Sequence, residues 1–188
     1  MYEIIWHGRG GQGAITAAKI VAQAAYIQGY QGVTATPSFG AERRGVPVSA
    51  STRISSEPIR VISQVEKPDA VVVLDYTLLK YQEVTSGLQR GGWLVVNSNQ
   101  NPKELVTRND INIATADATR VCQKLGLVIA GLTVVNTAML GAFIRAIEVV
   151  DMANIRRIIR GRFPSKVAEI NLAAIEETYD ITKLEKIL

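Results

Sequence analysis

The sequence Gly8-Arg9-Gly10-Gly11-Gln12-Gly13 is the stretch of this chain best equipped for chemistry. It has the Gly-x-Gly-x-x-Gly spacing, follows a strand-like run at Glu3–Trp6 and precedes an alanine-rich helical stretch, Ala14–Ile27. Glycines let the backbone turn tightly and approach a ligand closely, and the unpaired N–H groups of a helix start attract an anion. A dinucleotide site also needs an acid at the end of the second strand to hold the ribose hydroxyls. That region reads Val33-Thr34-Ala35-Thr36-Pro37 here, and no Asp or Glu appears before Glu42. NAD is therefore disfavoured, and so is a P-loop, because no Gly-Lys-Ser or Gly-Lys-Thr follows the glycines. Two readings stay open: an anion-ready loop, or a turn that only lets the first helix pack on a sheet.

Gly40-Ala41-Glu42-Arg43-Arg44-Gly45 is the second feature. Two adjacent arginines can make forked contacts to phosphate or carboxylate. They can equally pair with Glu42, or with a neighbouring subunit, in a surface loop. Asp75 and Asn97 directly follow apolar runs, where ligands of open α/β sheets bind, although an N-cap role for Asp75 and a turn role for Asn97 serve as well. His7, the only histidine, belongs to no recognisable nucleophile–base motif and reads as structural. Arg156, Arg157, Arg160 and Arg162 form a basic stretch, a solvated face or an interface. Cys122 is the only cysteine, which excludes an internal disulfide and a four-thiolate cluster held by this chain alone. No catalytic residue and no metal ligand emerges.

The elements that must position these residues read as one α/β domain over 1–188. Gly32–Thr36 and Val46–Ile54 have strand composition, and Ile59–Ile62 follows a turn at Ser55–Pro58, which predicts an antiparallel hairpin added to the sheet. Ala70–Leu74 and Trp93–Val96 are uninterrupted apolar runs, the mark of parallel strands covered on both faces, and Ile111–Ala114 reads as another strand. Helices are expected at Leu78–Leu88, Ala118–Leu125, about Val134–Val149, Met152–Ile159 and Lys166–Glu177. The expectation is a Rossmann-like three-layer domain with a mostly parallel sheet, a hairpin addition and C-terminal helices.

The 188 residues suffice for one core, and 47% hydrophobic with 20% charged residues is ordinary for a globular protein. No apolar run reaches the length of a membrane span, and no signal-like segment opens the chain, so a cytoplasmic protein is expected. The net charge of +4 is mild, and no recognition motif or basic tail favours nucleic acid.

Taken together, the blocks Trp6–Ala14 and Phe39–Gly45 with Pro47 closely resemble the gamma subunit of pyruvate and related 2-oxoacid:ferredoxin oxidoreductases. Leu74-Asp75, Gly91-Gly92 with Val95-Val96-Asn97, and Asn136 with Gly141 in a late helix match in order and spacing, so the resemblance spans nearly the whole chain. It implies an enzyme that converts a 2-oxoacid, coenzyme A and oxidised ferredoxin into acyl-CoA, carbon dioxide and reduced ferredoxin, with pyruvate the first substrate to consider. It further implies alpha and beta subunits holding thiamine diphosphate and magnesium, and ferredoxin-like delta subunits or domains holding [4Fe–4S] clusters. Ferredoxin or flavodoxin would accept the electrons. This chain lacks the Gly-Asp-Gly signature for thiamine diphosphate and the cysteines for a cluster, so the expectation is that it binds neither and is inactive alone. Coenzyme A is expected to meet Gly8–Gly13 or Arg43 and Arg44. The alternatives are a purely structural subunit and a stand-alone nucleotide-binding oxidoreductase.

Overall fold

Alternating apolar residues along β1 (Tyr2–Arg9) make it the strand around which the sheet is organised. Ile4 and Trp6 are fully buried on one face, while Glu3, Ile5 and His7 point to the other. The computed structural model describes residues 1–38, 45–61, 63–81, 83–105, 108–129 and 131–187. Helix α1 (Ala14–Gln28) leads to β2 (Gly32–Pro37) and then β3 (Pro47–Ser55), and β4 (Ala70–Val73), β5 (Trp93–Asn97) and β6 (Asn112–Ala116) complete the centre. The order is β2-β3-β1-β4-β5-β6-β9, with β9 (Lys183–Glu185) at the far edge. β1, β4, β5 and β6 are parallel neighbours, β3 and β9 run against them, and β2 shares the direction of β1.

The expected architecture, one α/β domain with a mostly parallel sheet, is what forms. The hairpin differs. It joins β2 to β3, pairing Val33 with Ile54 and Thr36 with Ser51, whereas residues 59–61 form no strand and Ile62 lies outside the described residues. A turn between apolar runs signals a reversal but does not say which neighbour supplies the backbone partners. Insertion of β3 also moves the end of β2 about 10 Å from β1, two strand spacings instead of one. The dinucleotide geometry therefore fails in topology as well as in sequence.

Other boundaries shifted where tertiary packing outweighed composition. Leu78–Leu88 resolves into a 3-10 turn at Tyr76–Lys80 and a short α2 (Glu83–Ser86), since only Leu78, Val84 and Leu88 need to reach the core. The late helix α5 is shorter than expected, Ala138–Ala146, and Asn136 sits in the turn before it. Additional elements are α3 (Pro102–Leu105) and a small hairpin of β7 (Val128–Ile129) with β8 (Leu132–Thr133). Helix α4 (Ala118–Lys124), α6 (Met152–Arg162) and α7 (Ser165–Ile181) fall close to expectation.

The layers are unequal. Helices α1, α4, α5, α6 and α7 build the main core over one face, around Trp6, Leu74, Met139 and Phe143. The opposite face carries a smaller cluster of Val71, Val73, Leu94 and Val96 under Leu78, Val84 and Leu88. Gly141 is essential to the thick layer, because a Cβ there would overlap the backbone of Ile175 on α7. Among the described residues no helix is long and apolar enough to cross a membrane.

Candidate functional site

The carboxyl ends of β1, β4, β5 and β6 converge on one edge of the sheet, and the glycine segment lies there. Gly8 and Arg9 belong to β1; the turn proper begins at Gly10. Gly11 and Gly13 take φ of +94° and +81°, the left-handed region open to glycine. Gly13 is the N-cap of α1 and no side chain caps that helix start. Its first N–H groups have no intrahelical acceptor, and the helix dipole adds partial positive charge. The side chain of Asn136 packs against Gly13 and donates to its carbonyl at 3.4 Å. Two residues 123 positions apart, both within the resemblance, thus meet at the helix start.

Arg9 and Asp75 are brought together. Arg9 Nε donates to Asp75 Oδ2 at 2.7 Å, Nη2 to Thr77 Oγ1 at 2.8 Å and Nη1 to the Gly45 carbonyl at 3.0 Å. The Gly10 N–H donates to the Val46 carbonyl and the Gly45 N–H to the Gly10 carbonyl. This network ties the return from the β2–β3 loop onto the glycine turn. Partial burial works to raise the Asp75 carboxyl, but hydrogen bonds from Thr77 and Arg9, and the Arg9 charge, outweigh it and leave its pKa below the usual carboxylate value. Asp75 is also the N-cap of the 3-10 turn, accepting from the Thr77 N–H at 3.0 Å. Its expected capping role is therefore present, and the arginine partner is the addition.

Asn97 is buried and internally satisfied. Its Nδ2 donates to the Leu74 carbonyl at 2.9 Å and to Thr119 Oγ1 at 2.8 Å, and its Oδ1 accepts from the Thr119 N–H at 3.2 Å. It fastens the ends of β4 and β5 to the start of α4. Gln12 Oε1 accepts from the Arg9 N–H at 2.7 Å and closes the glycine turn. Glu42, Arg43 and Arg44 lie outside the described residues.

Between these groups lies an open cleft of about 520 Å³, lined by Gln12, Leu74, Asp75, Tyr76, Asn97, Ser98, Asn99, Asp117, Thr119, Gly131, Thr133 and Val135. Only Gln12, Leu74, Asp75 and Asn97 were singled out by sequence reasoning; the other eight, Asp117 and Thr133 among them, escaped it. Asp117 follows β6 as Asp75 follows β4, and it caps α4 by accepting from the Arg120 N–H at 2.9 Å, so the strand-end rule could have found it. Thr133 comes from the small hairpin, whose two-residue strands leave no periodic signal.

His7 stands apart, in a separate groove of about 380 Å³ on the thin face, with Thr34, Ser49, Ser51 and Arg53. Burial lowers its pKa from 6.5 to about 4, so the imidazole is neutral at pH 7 and structural in character. Because the folded value is depressed for a base, acid protonates the unfolded chain first, and stability is lost as pH falls from about 6.5 towards 4. The expected result is that denaturation midpoints of the protein fall faster over this range than those of His7→Gln. Parallel pH profiles would contradict it. Cys122 is buried, donates to the Val134 carbonyl at 3.4 Å and has its thiol pKa pushed up to about 12 by burial. Among the described residues no three His, Cys, Asp or Glu converge to hold a metal.

Comparisons with known proteins point to one family. The family model described as pyruvate ferredoxin/flavodoxin oxidoreductase matches residues 3–181. The chain is 42% identical to the pyruvate/ketoisovalerate oxidoreductases common subunit gamma of Thermococcus litoralis, over 97% of each chain. It is 42% identical to the pyruvate synthase subunit PorC of Methanothermobacter thermautotrophicus, over 100% of this chain and 98% of that one. The crystal structure of pyruvate oxidoreductase subunit PORC from Thermotoga maritima superposes with a TM-score of 0.83 at 35% identity, covering 98% of each chain. The chain belongs to the pyruvate ferredoxin/flavodoxin oxidoreductase family, as one of its gamma subunits.

Proposed function

We infer that this gamma subunit serves a complex that oxidatively decarboxylates a 2-oxoacid, pyruvate first among them, with coenzyme A as acyl acceptor and ferredoxin or flavodoxin as electron acceptor. Its own contribution is to complete the coenzyme A site with the strand-end cleft. The observation that carries this reading is the start of α1, which no side chain caps and which directly follows Gln12, a residue lining that cleft. A helix start favours phosphate, and the charge of Asp75 is already balanced by Arg9. Lining groups such as Asn99 and Thr133 offer neutral hydrogen-bonding partners to an extended chain of amides. Arg43 and Arg44, outside the described residues, belong to the same proposal through their place in the sequence.

A [4Fe–4S] cluster does not fit a chain with a single cysteine, and in this reading thiamine diphosphate and magnesium are held elsewhere as well. The one cysteine is locked in the core, and no described acidic or histidine cluster could hold a metal. In this reading those groups sit on alpha, beta and delta subunits or domains, and no step of the reaction runs through a side chain of this chain.

The competing reading, a subunit that only holds its partners, is favoured by the internal saturation of Arg9, Asp75 and Asn97. Asn99 separates the two, because it is exposed and lines the cleft without supporting the fold. Asn99→Trp should raise the apparent KM for coenzyme A about tenfold, on the order of 1.4 kcal/mol, while the subunits still co-purify. An unchanged KM overturns the coenzyme A assignment; loss of co-purification supports the purely structural role.

A further inference from the structure

The basic stretch of α6 divides between two faces. Arg156 pairs with Glu176 at 2.9 Å and Arg160 with Glu169 at 3.2 Å, both on α7. Arg157 and Arg162 make no ion pair with a described residue, and both line an open groove of about 640 Å³ between α6 and α1. Its remaining surface is mainly apolar: Ile27 and Val33 lie along one side, Ile158 on the other, and the Tyr26 ring is 67% exposed. None of the described lining residues is Asp or Glu. The groove also borders β2, the terminal strand of the sheet, whose residues Gly32–Pro37 include no charge.

An exposed aromatic ring in a concave apolar setting is the composition of a docking surface rather than of open solvent-facing protein. Two unpaired guanidinium groups beside it state what the occupant must carry. We propose that the α1–α6 groove docks another subunit of the oxidoreductase through a segment that presents an apolar side chain between carboxylates. The apolar side chain covers Tyr26 and Ile158, and the carboxylates meet Arg157 and Arg162, which hold forked acceptors well. A second copy of this chain is a poor occupant, because a two-fold contact sets the patch against itself and brings arginine to arginine. The surface lies on the α1–α6 side of the fold and shares no lining residue with the strand-end cleft, so it is independent of any coenzyme A contact.

The test places the photo-crosslinking residue p-benzoylphenylalanine at position 26 in the co-expressed, assembled enzyme. The expected result is a light-dependent cross-link to one other subunit, at a peptide containing at least two acidic residues. In parallel, Arg157→Glu with Arg162→Glu should weaken retention of that subunit about tenfold while the melting temperature of the isolated chain is kept. Cross-linking to a second copy, to a peptide without carboxylates, or to nothing in an intact complex overturns the docking surface and leaves the family assignment and the cleft untouched. Undiminished retention of the doubly reversed variant overturns it too. A wild-type chain that captures no other subunit overturns both the docking surface and the functional reading.

Discussion

Trp6→Ala should cost the domain about 4 kcal/mol of stability, the range measured when a large aromatic side chain is deleted from a closed core. The residue is fully buried, its ring centroid lies 5.2 Å from that of Phe143, and its indole N–H donates to Thr52 Oγ1 at 3.0 Å. Thr52 passes the interaction on by donating to the Ala18 carbonyl at 3.2 Å. One side chain therefore links β1, β3, α1 and α5, and its loss leaves a void that four elements would have to collapse to fill. Trp6→Phe keeps most of the apolar volume and gives up the N–H, so about 1–2 kcal/mol is expected, the scale of one buried hydrogen bond with imperfect repacking. Equilibrium denaturation of the isolated chain reads both. A Trp6→Ala loss no larger than that of Trp6→Phe would show that the ring is not packed as described. Gly8 lies two residues further along the same strand, and the turn begins at Gly10, so this packing anchors the strand that leads into it.

Gly13→Ala is expected to cost about 3 kcal/mol, from two sources of similar size. A left-handed conformation costs a residue with a Cβ about 1–2 kcal/mol, and crowding a packed site costs about 1–3 kcal/mol. Gly13 has φ of +81°, and an added methyl would collide with the Asn136 side chain. Asn136 has little room to retreat, since it is buried and its Oδ1 accepts from the Thr137 N–H at 2.9 Å. The double variant Gly13→Ala with Asn136→Ala separates the two. Removing the amide relieves the collision but not the backbone strain, so the pair should be less destabilised than the sum of the single variants by about 1–2 kcal/mol. Strict additivity in chemical denaturation would disprove the contact. Under the proposed coenzyme A contact, displacing the start of α1 in the assembled enzyme should also raise the apparent KM for coenzyme A; an unchanged KM would count against that contact.

Much of the site was legible in the chain because its signals are local. Glycine spacing, an apolar run ending at Asp75 and another ending at Asn97 each report a strand stopping at one edge, since a buried parallel strand needs continuous apolar residues and its end does not. The missing acid after Thr36 argued against NAD by the same local logic. The resemblance carried by the Trp6–Ala14 and Phe39–Gly45 blocks then specified the family, which the comparisons bear out.

What the chain alone left open depends on distance in sequence. Whether Asp75 meets a ligand or a cation is decided by Arg9, 66 residues away, and it is Arg9 that occupies one of its oxygens. Val46–Ile54 could pair with either neighbour in composition, and only the assembled sheet selects Gly32–Pro37 and inserts β3 beside β1. The residues Gly8–Gly13 by themselves determined a tight glycine turn between a strand and a helix, and left open whether it receives an anion or only lets the helix pack. The tertiary structure decided that Gly8 and Arg9 belong to the strand and that Arg9 is committed to Asp75. It also decided that Asn136 closes on Gly13, because a helix start acquires its surroundings only when distant strands and turns have packed around it.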